Sequence, residues 1–178
     1  MTEPRERTVE SAAGANMNVR ANSYVVLLTV AICRSCGLPT RLIALMLPPD
    51  HQALLEGTTQ SEDEESWPGT WESPASSALL FFVGDVSNAV RRCVLDIAPA
   101  YRPASADESQ DSYWANHCEH CDSRFDDQEL FCEPNGAFLP TNPSAAAAID
   151  RMQINEPIEA AAAGCAYEPQ FISRLHQI

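Results

Sequence analysis

Two pairs of cysteines have the type and the spacing that bind a metal ion. Cys33 and Cys36 form one Cys-x-x-Cys knuckle, and Cys118 and Cys121 form a second one, with 81 residues between the two. Four thiolates on two tight turns match the tetrahedral coordination of a structural Zn²⁺. The long connection is tolerable because closure entropy grows only logarithmically with loop length. We therefore expect one closed zinc site with Cys33, Cys36, Cys118 and Cys121 as its ligands.

The same cysteines allow other interpretations. Each knuckle could be a redox pair, or both could hold an iron–sulfur cluster, although neither lies clearly at the start of a helix, where thiolates are activated. His117 and His120 flank the second knuckle and could replace a cysteine, but four thiolates already complete the coordination shell. Cys132 is either a core residue or a distant ligand. Cys93 and Cys165 are expected to be core thiols.

No catalytic apparatus assembles from the remaining residues. The chain lacks a Gly-rich phosphate loop, an HExxH motif and a calcium-binding DxDxDG loop. Four thiolates around zinc leave no open position for a reacting water. Its histidines have no partnered nucleophile, and its acidic clusters are typical of solvated surface. We expect no catalytic residues, no cofactor other than structural zinc, and no enzyme activity.

The charge balance disfavours nucleic acid and anionic lipid as partners. All 11 basic residues are arginines, and they face 25 acidic residues, for a net charge of −14. Proteins that bind nucleic acid or anionic lipid without sequence preference need a basic footprint to neutralise phosphates. The acidic surface either serves solubility alone or engages a basic partner protein.

Apolar runs and cysteine usage bear on the cellular compartment. No apolar run approaches the length of a membrane span, and the first residues lack a basic and apolar leader. Seven cysteines are an odd number, and four of them sit in knuckles, which favours reduced thiols over disulfides. We expect a cytoplasmic protein.

Hydrophobic patterning places the first knuckle at the tip of a hairpin. Segments 22–32 and 40–47 are apolar and β-branched enough to form its two strands. Gly37 after Cys36 suits the left-handed backbone that such a turn requires. Segment 51–56 is expected to be a short turn or helix, and 78–83 a short strand or core segment.

Helices and turns are predicted after this hairpin. Segment 85–98 has one apolar face, with Ser87 as N-cap. Segment 128–132 is predicted to be a strand that completes a second hairpin. Asn142 and Pro143 open a helix that runs to Met152, followed by a strand at 154–160 and a terminal helix at 169–175.

We therefore expect an α+β protein, with a zinc-ribbon-type antiparallel sheet as its core, a few packed helices and long acidic loops. Residues 1–18 are expected to form a flexible tail, and residues 19–178 a single domain. The acidic segments 58–74 and 104–112 are predicted to be surface loops, the first of them mobile.

The stretch YWANHCEHCDSRFDDQELFCEPNGAF, residues 113–138, resembles the second half of a split zinc ribbon in uncharacterised bacterial proteins. Those proteins have an aromatic residue, then NHCxHC, an aspartate, an apolar strand and EPxGxF, with a CxxCG knuckle earlier in the chain. The resemblance covers about two thirds of the chain, from Tyr24 to Phe138, and weakly segment 149–163. It implies the same four cysteine ligands and no known activity. Asp122 departs from the pattern, since glycine commonly follows the second knuckle.

Three functions are open on this basis. The first is a non-enzymatic protein-binding module, with tryptophans as interface anchors. Its candidate anchors are Trp67, Trp71 and Trp114. The second is an acidic inhibitor or immunity-type protein, anti-defence or antitoxin-like, that blocks a basic nucleic-acid-handling enzyme.

The third is a nucleic-acid-binding zinc ribbon that gathers arginines at the metal end despite the acidic balance. Its candidate residues are Arg20, Arg34, Arg41 and Arg124. Nucleic acid is the least expected kind of partner among these three functions. The oligomeric state is left open.

Overall fold

The structure is a computed structural model that describes residues 17–55, 69–104, 113–167 and 176–177. Strands make up nearly half of these residues. They are β1 Val19–Ala21, β2 Tyr24–Ile32, β3 Pro39–Leu47, β4 Gln52–Leu55, β5 Thr70–Glu72, β6 Ala78–Val86, β7 Tyr101–Pro103, β8 Trp114–Asn116, β9 Asp150–Ile154, β10 Ile158–Tyr167 and β11 His176–Gln177. Two α-helices, α1 Asn88–Ile97 and α2 Pro143–Ala147, and a π-helical turn, Gln128–Cys132, accompany them. The fold is rich in antiparallel sheet with few helices, consistent with the α+β class.

All the described strands belong to one sheet. Its order is β11-β9-β2-β3-β6-β10-β1-β4-β5, and β7 joins through β8, which pairs with β6. The β11–β9 pair is parallel, and the other described pairs are antiparallel. The hairpin of β2 and β3 runs in register from Val25 opposite Met46 to Ile32 opposite Pro39. This confirms the predicted hairpin with the first knuckle at its tip.

The central hairpin is buried on both faces along residues 24–27 and 42–47. Because side chains alternate along a strand, Val26 and Ile43 pack into one core with α1, whereas Leu27 and Leu42 pack into another. The second core includes Phe131 from the π-helical turn. Burial on two faces explains why β2 and β3 are nearly continuous apolar runs in the sequence.

Helix α1 forms close to where its apolar face predicts it. Val90 and Val94 are buried, and Cys93 packs against the same core. Ser87 occupies the N-cap position, but its side chain makes no capping hydrogen bond. The helix begins three residues later than expected because β6 continues to Val86, which pairs with β10.

The predicted strand at 128–132 is wrong. These residues form a π-helical turn that begins after Asp127 and buries Leu130 and Phe131. Phe131 stacks on Phe138, with ring centroids 5.1 Å apart. Two adjacent buried apolar residues are compatible with either a helix or a strand. Here the stacking of Phe131 on Phe138 stabilises the helical turn.

Three other segments differ from the prediction. Helix α2 ends at Ala147 rather than Met152, because the following residues pair with β2 as strand β9. The side chain of Asn142 does accept a capping hydrogen bond from the Ala145 N–H, at 2.9 Å. Segment 52–55, expected as a turn or helix, is strand β4, and part of the acidic loop 58–74 is strand β5.

Several predictions fall outside the described residues. They are most of the tail at 1–18, most of the acidic loops 58–74 and 104–112, Trp67, and the terminal helix at 169–175. Within the described ranges, no helix combines the length and the hydropathy needed to cross a membrane.

Candidate metal centre

The four cysteines of the two knuckles lie together at one end of the sheet. Their Sγ atoms are all within 4.8 Å of one another, and the group could hold a metal ion. Cys33 Sγ lies 3.7 Å from Cys121 Sγ, and Cys36 Sγ lies 3.6 Å from Cys118 Sγ. A tetrahedron with metal–sulfur bonds of about 2.3 Å has sulfurs about 3.8 Å apart. The thiols are free, and their spacing fits a tetrahedral metal rather than a disulfide.

The two knuckles have the same backbone geometry. Gly37 N–H donates to the Cys33 carbonyl at 2.8 Å, and Asp122 N–H donates to the Cys118 carbonyl at 3.0 Å. The Cys33 N–H donates to the Leu38 carbonyl at 2.9 Å, and the Cys118 N–H donates to the Ser123 carbonyl, also at 2.9 Å. Gly37 has φ 73° and Asp122 has φ 65°. Asp122 therefore adopts the left-handed conformation for which glycine is commonly used.

Side chains on the second knuckle's segment fasten it to the free edge of β3. Buried Asn116 accepts from the Ile43 N–H at 2.8 Å and donates to the Ile43 carbonyl at 3.0 Å. Glu119 N–H donates to the Thr40 hydroxyl at 2.9 Å, and its carboxylate accepts from the Arg41 N–H at 3.2 Å. These bonds replace a strand ladder and bring Cys118 and Cys121 opposite the first knuckle.

Electrostatics inside the cluster favour a bound cation. Hydrogen bonds from Ser123 lower the pKa of Cys121 to about 6, and the Cys36 N–H leads those that lower the pKa of Cys33. The Leu38 N–H lowers the pKa of Cys36, but burial and the neighbouring thiols outweigh it and raise that pKa to about 12. Thiolates this close repel one another, so the cluster ionises fully only around a positive ion.

The two histidines beside the second knuckle are engaged elsewhere. His117 Nδ1 lies 3.2 Å from the Ala100 carbonyl oxygen and 3.0 Å from that of Ala115. Burial lowers the pKa of His117. His120 Nε2 lies 2.9 Å from the Pro39 carbonyl oxygen. Both rings therefore support the metal end through backbone contacts and lie outside the four-sulfur cluster.

The other three cysteines do not join the cluster. Cys93, Cys132 and Cys165 are partly buried, and each packs against one of the two hydrophobic cores. Burial raises the pKa of Cys132, and raises that of Cys165 to about 11. Cys132 therefore packs against the core, which was one of the two roles predicted for it, and is not a metal ligand.

The candidate interface residues have varied surroundings. Trp114 is buried, 1% exposed, beside Tyr101, which removes it as an exposed anchor. Trp71 is half-buried, and the Arg20 guanidinium lies 4.2 Å from its ring centroid.

The arginines expected at the metal end are largely engaged with neighbours. Arg34 pairs with Glu129 at 2.6 Å, and Arg41 pairs with Glu119 at 3.3 Å. The Arg124 guanidinium lies 5.7 Å from the ring centroid of Tyr113. Arg20 lies on β1, which the sheet order separates from β3 by β6 and β10.

A buried carboxylate six residues after Cys121 was missed in the sequence. Asp127 is 2% exposed, and its Oδ2 accepts from the Phe82 N–H at 2.8 Å. Its Oδ1 is buried with no hydrogen-bond partner among the described residues. Phe82 has φ 49°, a rare value for a bulky residue, so this bond holds a strained backbone in place. The pattern Asp126-Asp127 resembles solvated surface, so nothing local signals burial.

Burial raises the pKa of Asp127 from 3.8 to about 6. A raised carboxyl pKa destabilises the folded protein as pH rises from about 4 to about 6, by about 2–3 kcal/mol, and the penalty persists above that range. We expect Asp127→Asn to gain stability relative to the unsubstituted protein by that amount across this window, because asparagine keeps the acceptor for Phe82 without a charge.

Chemical unfolding of both proteins at each pH, with metal present, measures this difference. Any effect of pH on the metal site is common to both and cancels. Asp96→Asn is the control, because it removes the same charge at an exposed position of α1. If the difference in the free energy of unfolding between the unsubstituted protein and Asp127→Asn does not change from pH 4 to 7, the pKa of Asp127 is not raised by burial.

Comparison of the chain with protein-family models, with curated proteins and with solved structures finds no match.

Proposed function

We propose that this chain is a non-enzymatic protein-binding module stabilised by a structural zinc site with four cysteine ligands. The observation that carries the proposal is the juxtaposition of the closed four-sulfur cluster with exposed apolar side chains. Val30 is 62% exposed, Ile32 is 63% exposed and Leu38 is 46% exposed. Val30 and Ile32 lie on β2 before the first knuckle, and Leu38 lies between the knuckle and β3. Grouped exposed apolar residues are typical of interaction surfaces.

Zinc is the metal that the donor set favours. Thiolates are soft ligands, and four of them in a tetrahedron are typical of zinc or of an iron–sulfur site. Two Cys-x-x-Cys turns of matched geometry favour a single zinc ion, in line with the resemblance to split zinc ribbons. With four sulfur ligands no position is open for a substrate, which supports a structural role.

The second candidate is an acidic inhibitor of a basic, nucleic-acid-handling enzyme. The net charge of −14 supports it, because an acidic face can occupy a phosphate-binding channel. The same charge disfavours nucleic acid itself as the partner. Arg34 and Arg41 are paired with glutamates, which further reduces the positive field at the metal end.

Affinity capture with the full zinc-loaded chain, followed by a salt titration of each captured protein, tests these functions. We expect a stoichiometric protein partner. An apolar interface predicts affinity that changes little between about 50 and 500 mM salt, whereas the inhibitor predicts a steep loss.

A variant with Glu62, Asp63, Glu64 and Glu65 neutralised to their amides separates the two further. It should bind a basic partner more weakly and leave an apolar interface unchanged. Absence of any stoichiometric protein partner at every salt concentration would contradict both functions.

A further inference from the structure

Strand β2 extends past its neighbour β9. The β9 register covers Tyr24 to Leu28 of β2 and stops at Asp150, which lies opposite Leu28. The residues that precede Asp150 belong to α2 and to the turn that follows it, so they do not pair with β2. At that turn the Thr29 hydroxyl donates to the Ala148 carbonyl, at 3.3 Å. From Thr29 to Ile32, β2 pairs with β3 on one side, and no strand among the described residues pairs with it on the other.

The backbone groups of Val30 and Ile32 point toward this open side. The Cys33 N–H bonds to the Leu38 carbonyl across the hairpin, so odd-numbered residues of β2 direct their N–H and C=O toward β3. Backbone direction alternates along a strand, and Val30 and Ile32 therefore direct theirs away from β3. Pro39, opposite Ile32, has no N–H to offer, which agrees with this register. The open edge presents two donors and two acceptors.

A groove of about 580 Å³ runs along this edge. Its lining includes Thr29, Arg34, Phe125, Leu130, Pro140 and Ala148. Val30 and Ile32 also line it, and both side chains are more than half exposed. Native proteins commonly protect an edge strand with charge, proline or a covering segment. This edge is apolar and uncharged at the two residues that carry the open backbone groups.

We propose that the groove binds an extended segment of a partner protein, which adds to the sheet as a strand alongside Val30–Ile32. Main-chain hydrogen bonds to the two open residues supply affinity, and the groove receives alternate apolar side chains of the segment. The inference deepens the proposed protein-binding function and rests on it. Two open backbone donors and two open acceptors along one edge match a single extended peptide strand.

Charge adds a preference for a cationic residue in the bound segment. The wall formed by the first knuckle includes Cys33, and a zinc ion with four thiolates carries a formal charge of about −2. Arg34, the cation closest in sequence, is already paired with Glu129. Arg124 and Asp126 also line the groove, both are exposed, and their opposite charges offset each other, so the four-thiolate zinc site sets the sign of the field. A lysine or arginine of the partner segment beside the knuckle meets a negative field.

Panning of a phage-displayed library of random 12-residue peptides against the full zinc-loaded chain tests the proposal. We expect enriched peptides with alternating apolar residues and a flanking basic residue. Synthetic copies with N-methyl groups at alternate backbone positions should lose binding at least tenfold in one of the two registers, because methylation removes the strand-forming N–H groups. Binding should slow amide exchange at Val30 and Ile32.

Protein variants locate the site. Val30→Lys and Ile32→Lys should each weaken peptide binding at least tenfold, since charge on an edge opposes strand addition. Leu95→Lys, at an exposed apolar position on α1 that does not line the groove, is the matched control and should bind normally. Zinc content and the thermal unfolding midpoint confirm that each variant is folded. Both side chains are exposed, so folding should survive.

The proposal is overturned if no peptide is enriched, if binding tolerates N-methylation in both registers, or if Ile32→Lys binds the peptides equally well. Self-association of the chain that Ile32→Lys abolishes would also overturn it, by assigning the edge to a second copy. Capture of a natural partner with unchanged affinity by Ile32→Lys would reject this site and leave the protein-binding function standing.

Discussion

Serine in place of Cys33 or of Cys118 is expected to remove both the bound metal and the soluble folded protein. Both side chains are 2% exposed, and each belongs to a different knuckle. Binding of structural zinc contributes about 10–16 kcal/mol to the folding of small zinc domains. This is comparable to the whole stability of a typical domain, about 5–15 kcal/mol. Elemental analysis should find one zinc per chain in the unsubstituted protein.

The control for this prediction is Cys132→Ser, which changes a partly buried cysteine outside the cluster. It should keep one zinc per chain and unfold cooperatively at a slightly lower temperature. A chelator added to the unsubstituted protein should reproduce the loss of structure, and added zinc should reverse it. A well-folded preparation with no metal, and with the unfolding temperature of the zinc-loaded protein, would contradict the structural role of the site.

Asn116→Ala is expected to lower the free energy of unfolding by about 3 kcal/mol. The substitution leaves the Ile43 N–H and C=O buried without their partners, and each unsatisfied buried group costs about 1–3 kcal/mol. Asn116 also lies two residues before Cys118, so its loss should loosen the hold on the second knuckle and weaken metal retention. Denaturant unfolding measures the first effect, and competition with a chromogenic chelator measures the second.

Asn22→Ala serves as the matched control, because Asn22 is exposed. Its effect should stay within about 0.5 kcal/mol, as is usual for surface substitutions. If Asn116→Ala costs less than about 1 kcal/mol, or if zinc is released from both variants at the same rate, the amide does not fasten the knuckle to β3.

Local signals led to the central hairpin and to the turn at its tip. The apolar runs that became β2 and β3 flank a Cys-x-x-Cys-Gly turn, and Gly37 adopts the positive φ that this turn requires. Such features depend on a few neighbouring residues. The capping role of Asn142 was predictable for the same reason, because its side chain bonds three residues ahead.

Errors arose where distant contacts override local pattern. Segment 128–132 looks like a strand, yet Leu130 and Phe131 are buried as a π-helical turn against Phe138. The residues after Ala147 look helical, yet they pair with β2 as β9. In both cases the deciding partner is supplied by another part of the chain, so the local pattern is compatible with either conformation.

By itself, the sequence determined the chemistry available to this protein: two thiol pairs, an acidic balance without lysine, and one hairpin that carries a knuckle. The tertiary structure decided that the two knuckles face each other, that Asn116 fastens the second one to β3, and that Val30 and Ile32 lie on an open edge. The physical reason is range. Side-chain type and turn geometry are local, whereas a meeting of two turns across 81 residues depends on the summed packing of a whole sheet.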